Sequence, residues 1–232
     1  MKQALIAGLP ALNLTLSEQQ TDTFCRFGQA LIEKNQVMNL TAITEPDAVA
    51  RLHFLDCMAL LNIQDFRNKS VIDVGCGAGF PGVPLKIAEP SIQLTLLDSL
   101  KKRVDWLSQV LPELGVAAEC AAARAEEYAA SHREQYDFAV SRAVAKLNLL
   151  AELCLPYVKV GGAFVAMKSV DCDGELSQAA RAIGLLGGKV EKIADYPVPG
   201  TDAVHRAVVI RKVKKTPPQY PRRFAKIKQA PL

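Results

Sequence analysis

The sequence predicts a doubly wound α/β domain, a mostly parallel sheet of seven strands, behind a small helical N-terminal extension. Three observations carry that expectation. From Ser70 onward, short apolar runs alternate with stretches of helical periodicity, as a parallel sheet with crossover helices requires. The first apolar run ends in a cluster of glycines just ahead of a helical stretch. Near the end, Pro197-Val-Pro-Gly200 supplies turn chemistry for a closing antiparallel hairpin.

Taken in order, Ser17 and Gln20 form a capping box for a helix over residues 17–36, with Phe24, Phe27, Ala30 and Leu31 on one stripe. A break at 35–39 precedes a second helix, with Thr44 as candidate cap and Pro46 in its first turn. It runs through Val49, Leu52, Leu55, Ala59 and Leu60. Strands are expected at 71–74, 94–97, 117–121, 138–141, 163–167, 190–196 and 207–213. Helices fall between them near 83–88, 101–111, 125–130, 147–155 and 174–186. The chain thus divides into a helical region (1–66), an α/β domain (67–213) and a basic tail (214–232), which Pro217, Pro218 and Pro221 mark as irregular.

Half the 232 residues are apolar, so the chain can bury a substantial core, and no apolar run reaches the ~20 residues of a membrane span. The stretch 4–16 has the hydropathy of a signal-peptide core, but Pro10 and Asn13 interrupt it and no cleavage site follows. The Asn-x-Thr sequons at Asn13 and Asn39 are then chance matches. Six scattered cysteines lack metal-ligand or disulfide spacing, so no metal is expected and the compartment is read as reducing. Net charge is +4, yet residues 211–232 hold eight basic and no acidic side chains, leaving 20 basic against 24 acidic elsewhere, a net −4. Such a tail suits a polyanion, or simply solubility.

The strongest local signal is Val71-Ile-Asp-Val-Gly75-Cys-Gly77-Ala-Gly79-Phe80. Glycines let a backbone turn tightly and let a ligand approach without Cβ obstruction. A dinucleotide site wants Gly-x-Gly-x-x-Gly, but counting from Gly75 the sixth position is Phe80. A redox dinucleotide enzyme is therefore disfavoured. Asp73-x-Gly75-x-Gly77-x-Gly79 instead resembles the S-adenosyl-L-methionine loop of class I (Rossmann-like) methyltransferases. Asp98, at the end of the next strand, suits the two hydroxyls of a ribose, or else caps the following helix.

Further stretches extend the likeness. They are Asn39-Leu-Thr41, Arg51-Leu-His53-Phe-Leu-Asp56, Asp73 through Pro84, Leu96-Leu-Asp-Ser-Leu-x-Lys-Arg103, Arg124-Ala-Glu126, Ser141-Arg-Ala143, Ala166-Met-Lys168, Tyr220-Pro-Arg222 and Pro231-Leu232. In this order and spacing they resemble the ribosomal RNA small-subunit methyltransferase G family, also called glucose-inhibited division protein B. That resemblance implies S-adenosyl-L-methionine contacts at Gly75, Phe80, Ala125, Glu126 and Arg142. It also implies methyl transfer to guanine N7 of 16S ribosomal RNA in the bacterial cytoplasm. The sequence departs mildly, with Trp106 in place of an expected Phe and Ala145-Lys146 after the Ser-Arg-Ala motif.

Guanine N7 bears a lone pair and no proton, so its methylation needs alignment and charge stabilisation but no general base. The lack of a Ser/His/Asp or Cys/His constellation fits such a reaction. Arg142, just after the fourth strand, is the candidate for orienting the cofactor or guanine O6, and Lys168, after the fifth, for contacting RNA phosphate. The alternative for each is an ion-paired or surface cation. His53 is expected to be packed or hydrogen-bonded, its cluster with Arg51 and Asp56 sealing the helices over the pocket. Lys101, Lys102 and Arg103 would join the tail in an electrostatic footprint for RNA. A monomer is expected. Two rivals are a methyltransferase of small molecules or proteins, and an RNA-binding protein that kept the fold without the activity.

Overall fold

Val71 and Ile72 point to opposite faces of one strand, and both are completely buried. Strand β1 (Ser70–Val74) is therefore covered on both sides, which is why its sequence runs apolar without polar alternation. The computed structural model describes residues 1–142 and 145–232. The other strands are β2 (Gln93–Asp98), β3 (Glu119–Ala122), β4 (Tyr136–Arg142), β5 (Val158–Ser169), β6 (Gly188–Pro197) and β7 (Val204–Lys212). They form one seven-stranded sheet in the order β3-β2-β1-β4-β5-β7-β6. Only β7 runs against its neighbours β5 and β6, which is the expected closing hairpin. The order reverses between β1 and β4, and ligands of such sheets bind outside the carboxyl ends of strands at that switch.

One face is covered by α1 (Lys2–Gly8), α2 (Glu18–Met38), the helical segment 46–62, α5 (Gly82–Ala88) and α6 (Lys101–Glu113). Within that segment α3 is Pro46–Val49 and α4 is Asp56–Met58, joined by a π-helical turn, Ala50–Leu55. The opposite face carries α7 (Ala125–Tyr128), α8 (Leu147–Cys154), α9 (Asp173–Leu185) and α10 (Phe224–Gln229). Helix α2 starts with the predicted capping box: the Ser17 hydroxyl accepts from the Gln20 amide, and the Gln20 side chain accepts from the Ser17 amide. The same Gln20 side chain donates to the carbonyls of Ile87 and Ala88, fastening α2 to the end of α5. Trp106 stacks on Phe27 and is core.

Several boundaries differ from expectation, each for a physical reason. The cap of α3 is Glu45, whose carboxylate accepts the amides of Asp47 and Ala48, and not Thr44. The stretch 4–16 contains a helix whose Ala4, Leu5, Leu9 and Leu12 enter the core. Edge strand β3 begins at Glu119 rather than 117. β5 starts at Val158 because Gly161-Gly162 form an irregularity within the strand and no turn. A Cβ at Gly162 would stand 2.3 Å from the Asp137 carbonyl oxygen, so only glycine fits there. The tail is not irregular throughout: it ends in α10, with Ile227 completely buried.

Candidate active site

The carboxyl ends of β1, β2 and β4 and the start of α7 enclose a crevice of about 420 Å³. Its floor is the glycine loop. Gly75 (φ 75°) and Gly77 (φ 57°) adopt left-handed backbone that other residues resist, and both line the crevice. A Cβ built on Gly77 would meet only an Arg103 nitrogen, at 3.9 Å, so the space above the loop is open to a ligand. Gly79 serves differently. A Cβ there would stand 2.6 Å from a Val83 methyl, so this glycine permits close packing and does not line the crevice.

Asp73 also departs from the cofactor role expected of it. It is completely buried beneath the loop, and Oδ2 accepts the Gly82 amide at 2.8 Å. Oδ1 has no partner, and burial raises the carboxyl to a pKa of about 7 despite the Gly82 bond and Arg142. Its place is structural, bracing the glycine loop from below. Asp98 does reach the crevice. Oδ2 accepts the Gly77 amide at 2.9 Å, and Oδ1 accepts the Leu100 amide at 2.8 Å, steering the chain into α6. Asp98 does not cap α6, whose N-cap is Leu100 with no side-chain cap, and the ribose reading is left to it, since each carboxylate oxygen retains a lone pair.

Arg142 enters from β4. Its guanidinium lies over the Phe80 ring, 4.7 Å from the centroid, and donates to the Leu52 carbonyl (3.2 Å), Asp56 Oδ2 (3.3 Å) and His53 Nδ1 (3.0 Å). Arg142 only donates, so Nδ1 accepts in the shorter contact, and its 3.2 Å approach to the Leu52 carbonyl then carries no proton. The proton then sits on Nε2, which donates to Thr41 Oγ1 at 2.8 Å. Burial, reinforced by Arg142, lowers the His53 pKa to about 4, so the ring is neutral near pH 7. Asp56, 1% exposed, also accepts from the Tyr196 hydroxyl (3.0 Å) and from His205 Nδ1 (2.8 Å). His205 is correspondingly raised, first by that bond to Asp56. Leu40, Thr41 and His53 of the N-terminal region line the crevice, but of the expected cluster only His53 does, since Arg51 lies against Gly200 and Asp56 sits behind Arg142.

Ala125 and Glu126 line the far side, where Glu126 Oε1 accepts the Phe224 amide at 3.2 Å. Phe224 itself lines the crevice, a residue that sequence reasoning missed. Lys168 does not fit the phosphate contact expected of it. Its ammonium is 2.6 Å from Glu175 Oε2 and donates to the Ala145 carbonyl at 3.0 Å, which holds the loop after β4. Ala143, in the Ser-Arg-Ala motif, lies outside the described residues. Nor is the basic tail uniformly available to a polyanion. Lys212 is completely buried, and burial lowers its pKa to about 8. Arg211 pairs with Glu191, and Arg222 with the buried Glu152. Lys214, Lys215, Arg223, Lys226 and Lys228 remain exposed. In the basic cluster of α6, Lys101 pairs with Asp105, and Arg103 lies 3.8 Å from Asp98.

Among the described residues no group of His, Cys, Asp and Glu could hold a metal ion, and no helix is long and apolar enough to cross a membrane. All six cysteines are free thiols.

This sheet order, with a glycine loop after β1 and an acidic residue ending β2, defines the class I methyltransferase fold. Solved structures agree. A SAM-dependent methyltransferase from Aquifex aeolicus superposes with TM-score 0.54 over 79% of this chain and 97% of that one, at 14% identity. Precorrin-6y C5,15-methyltransferase from Geobacter metallireducens gives TM-score 0.51 over 76% and 92%, also at 14% identity. The family model for rRNA small subunit methyltransferase G matches residues 19–199, and the chain belongs to that family. The protein of that name from Alkaliphilus oremlandii is 44% identical over 100% of this chain and 99% of its own. Its counterpart from Clostridium botulinum strain Loch Maree is 43% identical, covering 95% and 94%.

Proposed function

We propose that this enzyme transfers a methyl group from S-adenosyl-L-methionine to N7 of a guanine in 16S ribosomal RNA, acting as a cytoplasmic monomer. The observation that carries the reading is the single crevice joining the open glycine loop and Asp98 to an arginine held in place by His53 and Asp56. The residues present fit the cofactor: space above Gly77, a carboxylate with unused lone pairs for a ribose, and a flank of small and apolar groups at Ala123 and Ala125. When bound, the cofactor supplies an electrophilic methyl group on a sulfonium.

The protein's own tasks follow from what N7 lacks. No proton must be removed, and the side chains suit that. His53 has one nitrogen accepting from Arg142, the other donating to Thr41, and a pKa too low for an effective base. Arg142 is poised to orient an acceptor such as guanine O6 by donated hydrogen bonds. Glu126 and Asp98 are the carboxylates that line the crevice with Arg142. Exposed Lys102, Lys226 and Lys228 offer an approaching RNA phosphate contacts, whereas Lys168 serves the site by holding the 145 loop. Mapping 7-methylguanine in 16S RNA from cells lacking this gene tests the substrate. The expected result is a missing modification that the purified protein restores; a complete modification pattern in those cells would refute it.

A further inference from the structure

We infer that Phe224, carried by a C-terminal strap, contacts the base of the nucleoside bound in the crevice. The inference rests on the reading above that the crevice takes S-adenosyl-L-methionine. The strap is held by buried polar anchors unusual for a basic, proline-rich tail. The Arg222 guanidinium makes a two-pronged ion pair with Glu152 (2.8 and 2.6 Å), whose side chain is completely buried, and the Arg222 amide donates to the same carboxylate at 2.9 Å. Upstream, Arg133 donates to the carbonyl of Pro217 at 2.9 Å, and the Thr216 amide donates to Glu134 at 3.0 Å. Downstream, Ile227 is completely buried in the core. Between these anchors the chain is fixed, and it presents Phe224 to the crevice.

The position within the crevice selects the part of the ligand. Asp98 ends β2, which lies between β1 and β3 in the sheet. A ribose held at Asp98 leaves the base on one side and the amino-acid chain on the other. The β1 and β4 side is occupied by Arg142 and His53, groups suited to polar and reacting atoms. The β3 side is walled by Ala123, Ala125 and Phe224. Phe224 is steadied there by the Arg124 guanidinium, 5.3 Å from its ring centroid, and by its amide bond to Glu126. An aromatic face beside small side chains matches a flat purine.

The test is calorimetric titration of the full chain with S-adenosylhomocysteine. Wild type binds; Phe224→Ala binds roughly tenfold more weakly with an unchanged melting temperature, and Phe224→Tyr stays close to wild type. Should the alanine variant not fold, Phe224→Leu keeps the bulk without the ring and is expected to bind about threefold more weakly. Phe224→Trp supplies a readout that a purely structural residue would not move. The native chain has one tryptophan, Trp106, buried against Phe27, and the added indole emission is expected to be quenched when the nucleoside is added. Binding by Phe224→Leu equal to wild type, or unquenched emission from a Phe224→Trp chain that does bind, overturns the assignment. A wild-type chain that binds no nucleoside overturns the underlying reading, and the inference with it.

Discussion

Arg142 and His53 share the Phe80 ring: the guanidinium carbon is 4.7 Å from its centroid, and the imidazole centroid 4.5 Å, with the histidine plane tilted by 26°. The two also hydrogen-bond to each other at 3.0 Å. This arrangement turns a flexible cation into a fixed one. A guanidinium held by a ring, a backbone carbonyl, a carboxylate and an imidazole loses little further freedom when a substrate arrives.

Replacing Arg142 by Lys is accordingly expected to behave nearly like replacement by Ala. A point charge cannot reproduce the fork that reaches Leu52, Asp56 and His53 together. Turnover should fall roughly 100-fold or more, the usual loss when an aligned donor is removed from a reacting centre. Single-turnover methyl transfer with both variants checks this, with far-UV circular dichroism to confirm folding.

Asp56 is expected to matter first for stability. It is buried and accepts from Tyr196, His205 and Arg142. Asp56→Ala leaves the Arg142 charge without its carboxylate partner, and breaking a buried ion pair in this way costs about 3–5 kcal/mol. Urea unfolding measures the loss. Transfer activity per folded molecule should also drop, because Arg142 is no longer held.

The two histidines of this network predict opposite pH effects. His53 has a folded pKa of about 4 against 6.5 unfolded, so between those values the unfolded chain binds more protons and stability falls as pH falls. The loss is on the order of 3 kcal/mol when the window is fully crossed. The folded pKa of His205 is raised, so its contribution is present below pH 6.5 and is lost as pH rises through the folded value. Unfolding free energies from pH 4 to 8 should show a shallower acid limb in His53→Gln and a shallower neutral limb in His205→Gln.

At the glycine loop, Asp98→Ala should weaken S-adenosylhomocysteine binding roughly 10- to 100-fold, as expected for lost hydrogen bonds to a charged acceptor. Gly77→Ala imposes a side chain on a backbone at φ 57°, which costs about 1–2 kcal/mol, and puts a methyl group into the space above the loop. Its effect on affinity should therefore exceed its effect on stability. Parallel calorimetry and thermal melts compare the two.

What could be read from the sequence was local. The capping box at Ser17 and Gln20, the strand rhythm after Ser70 and the turn at Pro197–Gly200 all depend on neighbours in the chain, and all appear in the structure. The position of Gly75, Gly77 and Asp98 beside one crevice follows from the same local order of strand, glycine turn and next strand. Asp73 and Gly79 share the motif yet face inward, and no pattern separates a residue beneath a loop from one above it. The partners of Asp56 were invisible because Tyr196 and His205 lie 140 and 149 residues away. The π-helical turn that carries His53 has no composition signal either. The charge of residues 211–232 overstates what a polyanion can reach, because Glu152, Glu191 and the core, distant in the chain, claim part of it.

The most direct measurement incubates the purified chain with methyl-labelled S-adenosyl-L-methionine and 16S RNA, naked or assembled into subunits, and resolves the nucleosides after digestion. The expected result is label in 7-methylguanosine alone, abolished by Arg142→Ala. Label in any other nucleoside, or none on either substrate, would contradict it.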